Sequence, residues 1–143
     1  MSRCVALCGG LLLVLAGGAL ADDEADRDKL IGKWQEQGKG ADAALVLETK
    51  GDDLHVVRSL GGGKEEEFAC NIMGRDCEVK LAGHKAKVTM WFNGPMLVEL
   101  ETRGSEIVKR RFKIVADGDT MEVENIPLAP AGKTTVTKWE RKR

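Results

Sequence analysis

Tyrosine is absent from this chain, and histidine and serine are scarce: two His and three Ser in 143 residues. Acid–base and nucleophilic catalysis draw heavily on those side chains, so candidates for either are few. His55 and His84 stand alone, with no His-x-His or Cys-x-x-Cys pair in the sequence. Nothing therefore has the ligand spacing of a metal site, and neither a metal nor a cofactor is expected. An excess of one charge is also missing, since 22 Lys+Arg face 23 Asp+Glu. Nucleic-acid binders usually carry a basic surplus or a basic stripe. The one compact basic run, Lys109-Arg110-Arg111, is divided between two faces by strand alternation, so no nucleic-acid partner is expected. Gly132-Lys133-Thr134 lacks the upstream glycine and the following helix of a phosphate loop, Pro127 standing where the glycine belongs.

What is present first is an export signal. Arg3 precedes the apolar run Leu11–Leu15, and Ala19-Leu20-Ala21 has the small-x-small form of a cleavage site before Asp22-Asp23-Glu24. The uncharged stretch from Val5 to Ala21 is 17 residues long and carries four glycines, short for a spanning helix of roughly 20 apolar residues. Residues 1–21 are read as a signal peptide cleaved between Ala21 and Asp22. Residues 22–143 are then a single exported domain, periplasmic or secreted, with no membrane span. The mature chain keeps Cys70 and Cys77, an even pair in a compartment where disulfides persist. The six residues between them include Gly74 and Asp76, which reads as a strand-end loop pinned by a disulfide.

Beyond a short helix over Asp22–Ile31, helical periodicity is almost absent. Apolar residues alternate with period two and turn residues recur at short intervals, the pattern of a sandwich or barrel. Strands are expected at Ile31–Glu36, Ala44–Thr49, Leu54–Leu60, Glu65–Cys70, Asp76–Leu81, Lys85–Phe92, Met96–Arg103, Glu106–Val115, Met121–Ile126 and Lys133–Arg141. Short links such as Gly51-Asp52-Asp53 and Asn93-Gly94-Pro95 make sequence neighbours pair antiparallel. Ala86, Val88, Met90 and Phe92 share one face, opposite Lys85, Lys87 and Thr89. In the following strand Met96, Val98 and Leu100 are expected inside and Glu99, Glu101 and Arg103 outside. A sheet that is apolar on one face, with no helix to cover it, must close on itself. The expected fold is all-β: an antiparallel up-and-down meander of about 8–10 strands closing into a barrel.

Period two also places Arg110 among Val108, Phe112 and Ile114, facing inward. An internal guanidinium needs an anion. Two structural answers are a place near a rim or an internal acid such as Glu66, on the face of Phe68 and Cys70. The functional answer is a ligand head group. In that case Arg110 is the polar anchor, and Met90, Phe92, Val98 and Phe112 line the pocket. Arg141, two residues from Trp139, can stack on Trp34 or on Trp139.

Gly32-Lys33-Trp34, within Lys29–Trp34, resembles the Gly-x-Trp opening of the lipocalin and fatty-acid-binding (calycin) superfamily. Lys138-Trp139-Glu140-Arg141 is similar to the last strand of such proteins. The resemblance implies that Trp34 plugs one end of a calycin-like barrel with a basic side chain, Arg141, against it. It also implies that an inward arginine holds a ligand carboxylate. Trp34 to Ala44 leaves no room for the helical lid of fatty-acid-binding proteins, and the later lipocalin motifs are not visible. Three roles follow: an exported binder of a small apolar or amphipathic molecule, a filled barrel serving as a structural or protein-interaction module, or, ranked last, an enzyme. The sequence names no ligand and no protein partner.

Overall fold

In the computed structural model, residues 19–40, 42–115 and 117–143 are described. Most of the expected export segment, residues 1–18, lies outside them. Helix α1 (Ala19–Asp28) runs through the expected junction at Ala21-Asp22. Ten strands follow: β1 (Gly32–Glu36), β2 (Ala44–Lys50), β3 (Asp53–Gly61), β4 (Lys64–Asn71), β5 (Met73–Leu81), β6 (His84–Asn93), β7 (Met96–Arg103), β8 (Glu106–Ile114), β9 (Thr120–Ala129) and β10 (Thr135–Lys142).

Each strand pairs antiparallel with its chain neighbours, joined by links of two to seven residues. Two exceptions define the barrel. The first and last strands pair, Trp34 opposite Arg141, and β4 and β5 share no ladder. The sheet order is therefore β4-β3-β2-β1-β10-β9-β8-β7-β6-β5, a nearly closed ring with one seam. Cys70 on β4 and Cys77 on β5 are joined by a disulfide across that seam, their Cα atoms 5.7 Å apart.

The two ends of the barrel differ. At one end α1 and the segment after it close the ring: Leu30 is buried, and Arg27 donates to the Gly94 carbonyl at 2.8 Å while lying 4.8 Å from the Phe92 ring centre. Trp34 is buried here, its indole N–H donating to the Leu30 carbonyl at 2.9 Å. The Arg141 guanidinium lies over its ring at 4.3 Å and donates to the carbonyls of Ile31, Lys29 and Gly118. Gly32 is required beside this stack, because a Cβ there would sit 2.8 Å from Arg141 Nη1. Among the described residues the other end has no lid: β1 and β2 are separated by residues 37–43 alone.

The inner face follows the alternation expected for β6 and β8, with Ala86, Val88, Met90 and Phe112 buried. Strand β7 departs from expectation. Leu97, Glu99 and Glu101 are the inward side chains, cross-strand from Phe92, Met90 and Val88. Val98 is on the outer face in register with Trp91 and Arg111, so it lines no interior pocket. Apolar Met96, Val98 and Leu100 share that outer face, and the acids go inside because Arg58 and Arg110 from other strands, with Arg103 of β7 itself, meet them there. Among the described residues no helix is long and apolar enough to cross a membrane.

Candidate functional site

The half of the barrel nearer α1 is packed with apolar side chains, including Leu47, Leu54, Met90, Leu97 and Met121. The half nearer the open end holds an ionic layer. Arg58 enters from β3 on the face of Leu54 and Val56, Glu66 from β4, Glu99, Glu101 and Arg103 from β7, and Arg110 from β8.

Every member of this layer has an opposite charge within hydrogen-bonding reach. Arg110 Nη1 lies 2.7 Å from Glu99 and 2.8 Å from Glu101, and its Nε donates to Asn125 at 3.1 Å. Arg58 reaches Glu99 and Glu101, both at 2.9 Å, and Glu66 at 3.5 Å. Its guanidinium lies 5.2 Å from the Phe68 ring centre. Arg103 reaches Glu66 at 2.8 Å and Glu101 at 2.9 Å. Glu99 is completely buried, 0% exposed, where a carboxylate survives only with such partners. Burial alone would raise the Glu101 pKa, but the positive charges of Arg110, Arg58 and Arg103 outweigh it and hold the carboxyl at about 2. Burial works against the Arg58 cation in the same way, and Glu99, Glu101 and Glu66 overcome it and raise its pKa. Two buried atoms of the Arg58–Glu99 pair remain without a partner: Arg58 Nε and Glu99 Oε2.

Beside the ionic layer, a cavity of about 200 Å³ opens at the end away from α1. Leu45, Leu60, Phe112, Val123 and Trp139 supply apolar walls, and Arg58, Arg110 and Asn125 supply a polar side. Glu36 stands at the rim, 3.4 Å from Lys39. A second cavity, about 220 Å³, lies beneath α1 between Ile31, Leu54, Ile72 and Phe92. A wider groove of about 400 Å³ runs past Lys80, Lys85 and Lys87. It is bounded mainly by charged side chains and open to solvent, which suits a ligand poorly.

The expected site residues are therefore dispersed. Arg110 and Phe112 reach the open-end cavity, Met90 is sealed in the packed half, Phe92 lies under Arg27 by the second cavity, and Val98 is outside. Arg110 is internal but is held by Glu99 and Glu101, while Glu66 belongs to Arg58 and Arg103. The sequence reading missed Arg58, Asn125 and Trp139 as cavity residues. Arg58 carried the same signal as Arg110, lying two residues past Val56 on a face of buried side chains. Of the two histidines, His55 is on the outer face of β3, 2.6 Å from Glu67, and His84 is exposed in the β5–β6 turn. Neither reaches the interior.

A nearly closed meander of ten antiparallel strands, with Gly-x-Trp at its start and an arginine over the tryptophan, is the calycin fold in its fatty-acid-binding-protein-like form. Solved structures agree. A Schistosoma mansoni fatty acid binding protein, solved in complex with arachidonic acid, superposes with a TM-score of 0.67 at 13% identity, over 82% of this chain and 99% of that one. A secretory abundant heat soluble protein of Ramazzottius varieornatus gives 0.65 at 13% identity, over 80% and 96%. Caenorhabditis elegans lipid binding protein 8 gives 0.65 at 9% identity, over 80% and 96%. No family model and no curated protein matches the sequence.

Proposed function

We propose that this chain is an exported barrel that binds a small apolar or amphipathic molecule at its lidless end, in a binding rather than a catalytic role. The observation that carries this reading is the cavity itself: aromatic and aliphatic walls converge on a small set of hydrogen-bonding groups, the composition of a ligand site. Its volume of about 200 Å³ is small, below the ~300–1,000 Å³ that encloses a drug-sized molecule. The occupant is therefore a short molecule, or one end of a longer molecule whose remainder stays outside. The lipid ligands in the names of similar barrels are consistent with an apolar partner.

A second reading, a filled barrel serving as a structural or protein-interaction module, is favoured by the ionic layer, which occupies the depth a long ligand would need. Titration with 1-octanol followed by NMR separates the two. Binding shifts resonances of Leu45, Phe112, Val123 and Trp139, and Val123→Phe, which fills the cavity, abolishes the effect. No shift at these positions leaves the filled module standing. For export, N-terminal sequencing of the protein recovered from its native host should begin at Asp22, and an intact Met1 on exported protein would contradict it.

A further inference from the structure

We propose that the open-end cavity selects a ligand whose polar end is uncharged, a hydroxyl or carboxamide, and rejects a carboxylate. This rests on the binding reading above. The reason is charge balance. The cavity's two arginines, Arg58 and Arg110, are already matched: with Arg103 they make three guanidiniums against Glu66, Glu99 and Glu101, linked in one network. A carboxylate entering here would be one anion too many, since among the described residues both cations that line the cavity are already paired with buried acids. Protonating Glu101 offers no easy escape, because its carboxyl is held ionised down to about pH 2. The rim adds a further acid, Glu36, whose lysine partner is solvent-exposed.

A neutral group fits the same site. Beside the two arginines the cavity is lined by Ser59, Asn125 and Thr137, whose side chains between them both donate and accept. A hydroxyl or a carboxamide both donates and accepts, whereas a carboxylate only accepts. Neutral groups also avoid the large desolvation cost of an ion.

The test is calorimetric titration with 1-octanol, octanamide and octanoate at pH 7, on the wild type and on Glu99→Gln. The wild type should bind the neutral compounds at least about tenfold more tightly than octanoate. Glu99→Gln keeps the side chain's shape but removes one negative charge, which leaves one guanidinium unbalanced. It should strengthen octanoate binding by about tenfold or more while changing the alcohol little. Should that variant fail to fold, Glu101→Gln makes the same change of charge from the next inward position of β7. Octanoate binding as tightly as octanol in the wild type, or a folded Gln variant with unchanged preference, overturns the inference while leaving a ligand site in place. Failure of all three compounds to bind the wild type overturns the binding reading itself, and this inference with it.

Discussion

Replacing Arg110 by leucine should cost the protein far more than a surface charge does. Arg110 Nη1 bridges Glu99 and Glu101 at 2.7 and 2.8 Å, and the first of those acids is fully buried. A pair of unit charges 4 Å apart interacts by about 4 kcal/mol at an effective dielectric of 20, and the cation's own desolvation offsets part of the gain from two such partners. What remains after substitution is an interior with one surplus carboxylate, and stranding a buried charge costs roughly 3–5 kcal/mol. Glu99→Leu alone should cost a similar amount by stranding guanidinium charge on Arg58 and Arg110. The double variant Arg110→Leu/Glu99→Leu restores balance, with Arg58 and Arg103 against Glu66 and Glu101, and should be much more stable than the sum of the singles predicts. Urea unfolding followed by tryptophan fluorescence measures all three, and the coupling should reach at least about 2 kcal/mol, within the range for residues in one network. Additive singles, or an Arg110→Leu variant within about 1 kcal/mol of wild type, typical of exposed ion pairs, would refute the idea that this layer is a single balanced unit.

Four further outcomes follow from the same geometry. Trp34→Ala should destabilise by about 3–5 kcal/mol, the usual range for large aromatic truncations in cores, and a loss under 1 kcal/mol in chemical denaturation would contradict its role as the end plug. Removing the Cys70–Cys77 disulfide as a double alanine variant should cost roughly 2–3 kcal/mol, the loop-entropy value for so short a ring, read as a lowered urea midpoint in oxidising buffer. Because the folded Glu101 carboxyl titrates near 2 instead of the ordinary 4.5, its stabilisation is present above about pH 4.5 and disappears as pH falls towards 2; the urea midpoint of the wild type should drop across that window, and Glu101→Gln should show a shallower drop. Ala82 in the two-residue β5–β6 turn has φ of 49°, and Ala82→Asn should raise stability by about 0.5–1 kcal/mol, since Asn tolerates the left-handed region better; an unchanged or lowered melting temperature would count against it.

The strands that could be read from sequence were those whose two faces differ locally. Lys85–Phe92 alternates lysine or threonine with apolar residues, and β6 follows that pattern. Arg110 stood out because Val108 and Phe112 flank it. Strand β7 carries apolar residues on both faces, Leu97 on one and Met96, Val98 and Leu100 on the other, and its acids decided the reading wrongly. The cost of burying Glu99 and Glu101 is offset by Arg58, 41 and 43 residues upstream on a distant strand of the sheet, and by Arg110 on the next strand. That is a tertiary fact with no local trace. The usable signal was arithmetic: two inward arginines, at 58 and 110, against a single inward acid at 66. The reversal at Ala82-Gly83 falls in the gap expected between Asp76–Leu81 and Lys85–Phe92, but alanine gives no hint of its positive φ.

The seam and the ladder opposite it also bear on how the chain reaches its native state. All the strand pairings but one are hairpins between consecutive segments, and such local contacts form quickly with little loop entropy to overcome. The exception is β1 with β10, four paired positions that join residues at opposite ends of the sequence, from Lys33 with Lys142 to Glu36 with Trp139. Two runs of hairpins, β1–β4 and β5–β10, can thus assemble independently, tethered at Ile72 and by the nearby disulfide. Completion of the ring is then a single long-range event, carried by Trp34 and Arg141 as they come together. The arginine–tryptophan stack is in this sense a clasp on the one long-range pairing of the ring.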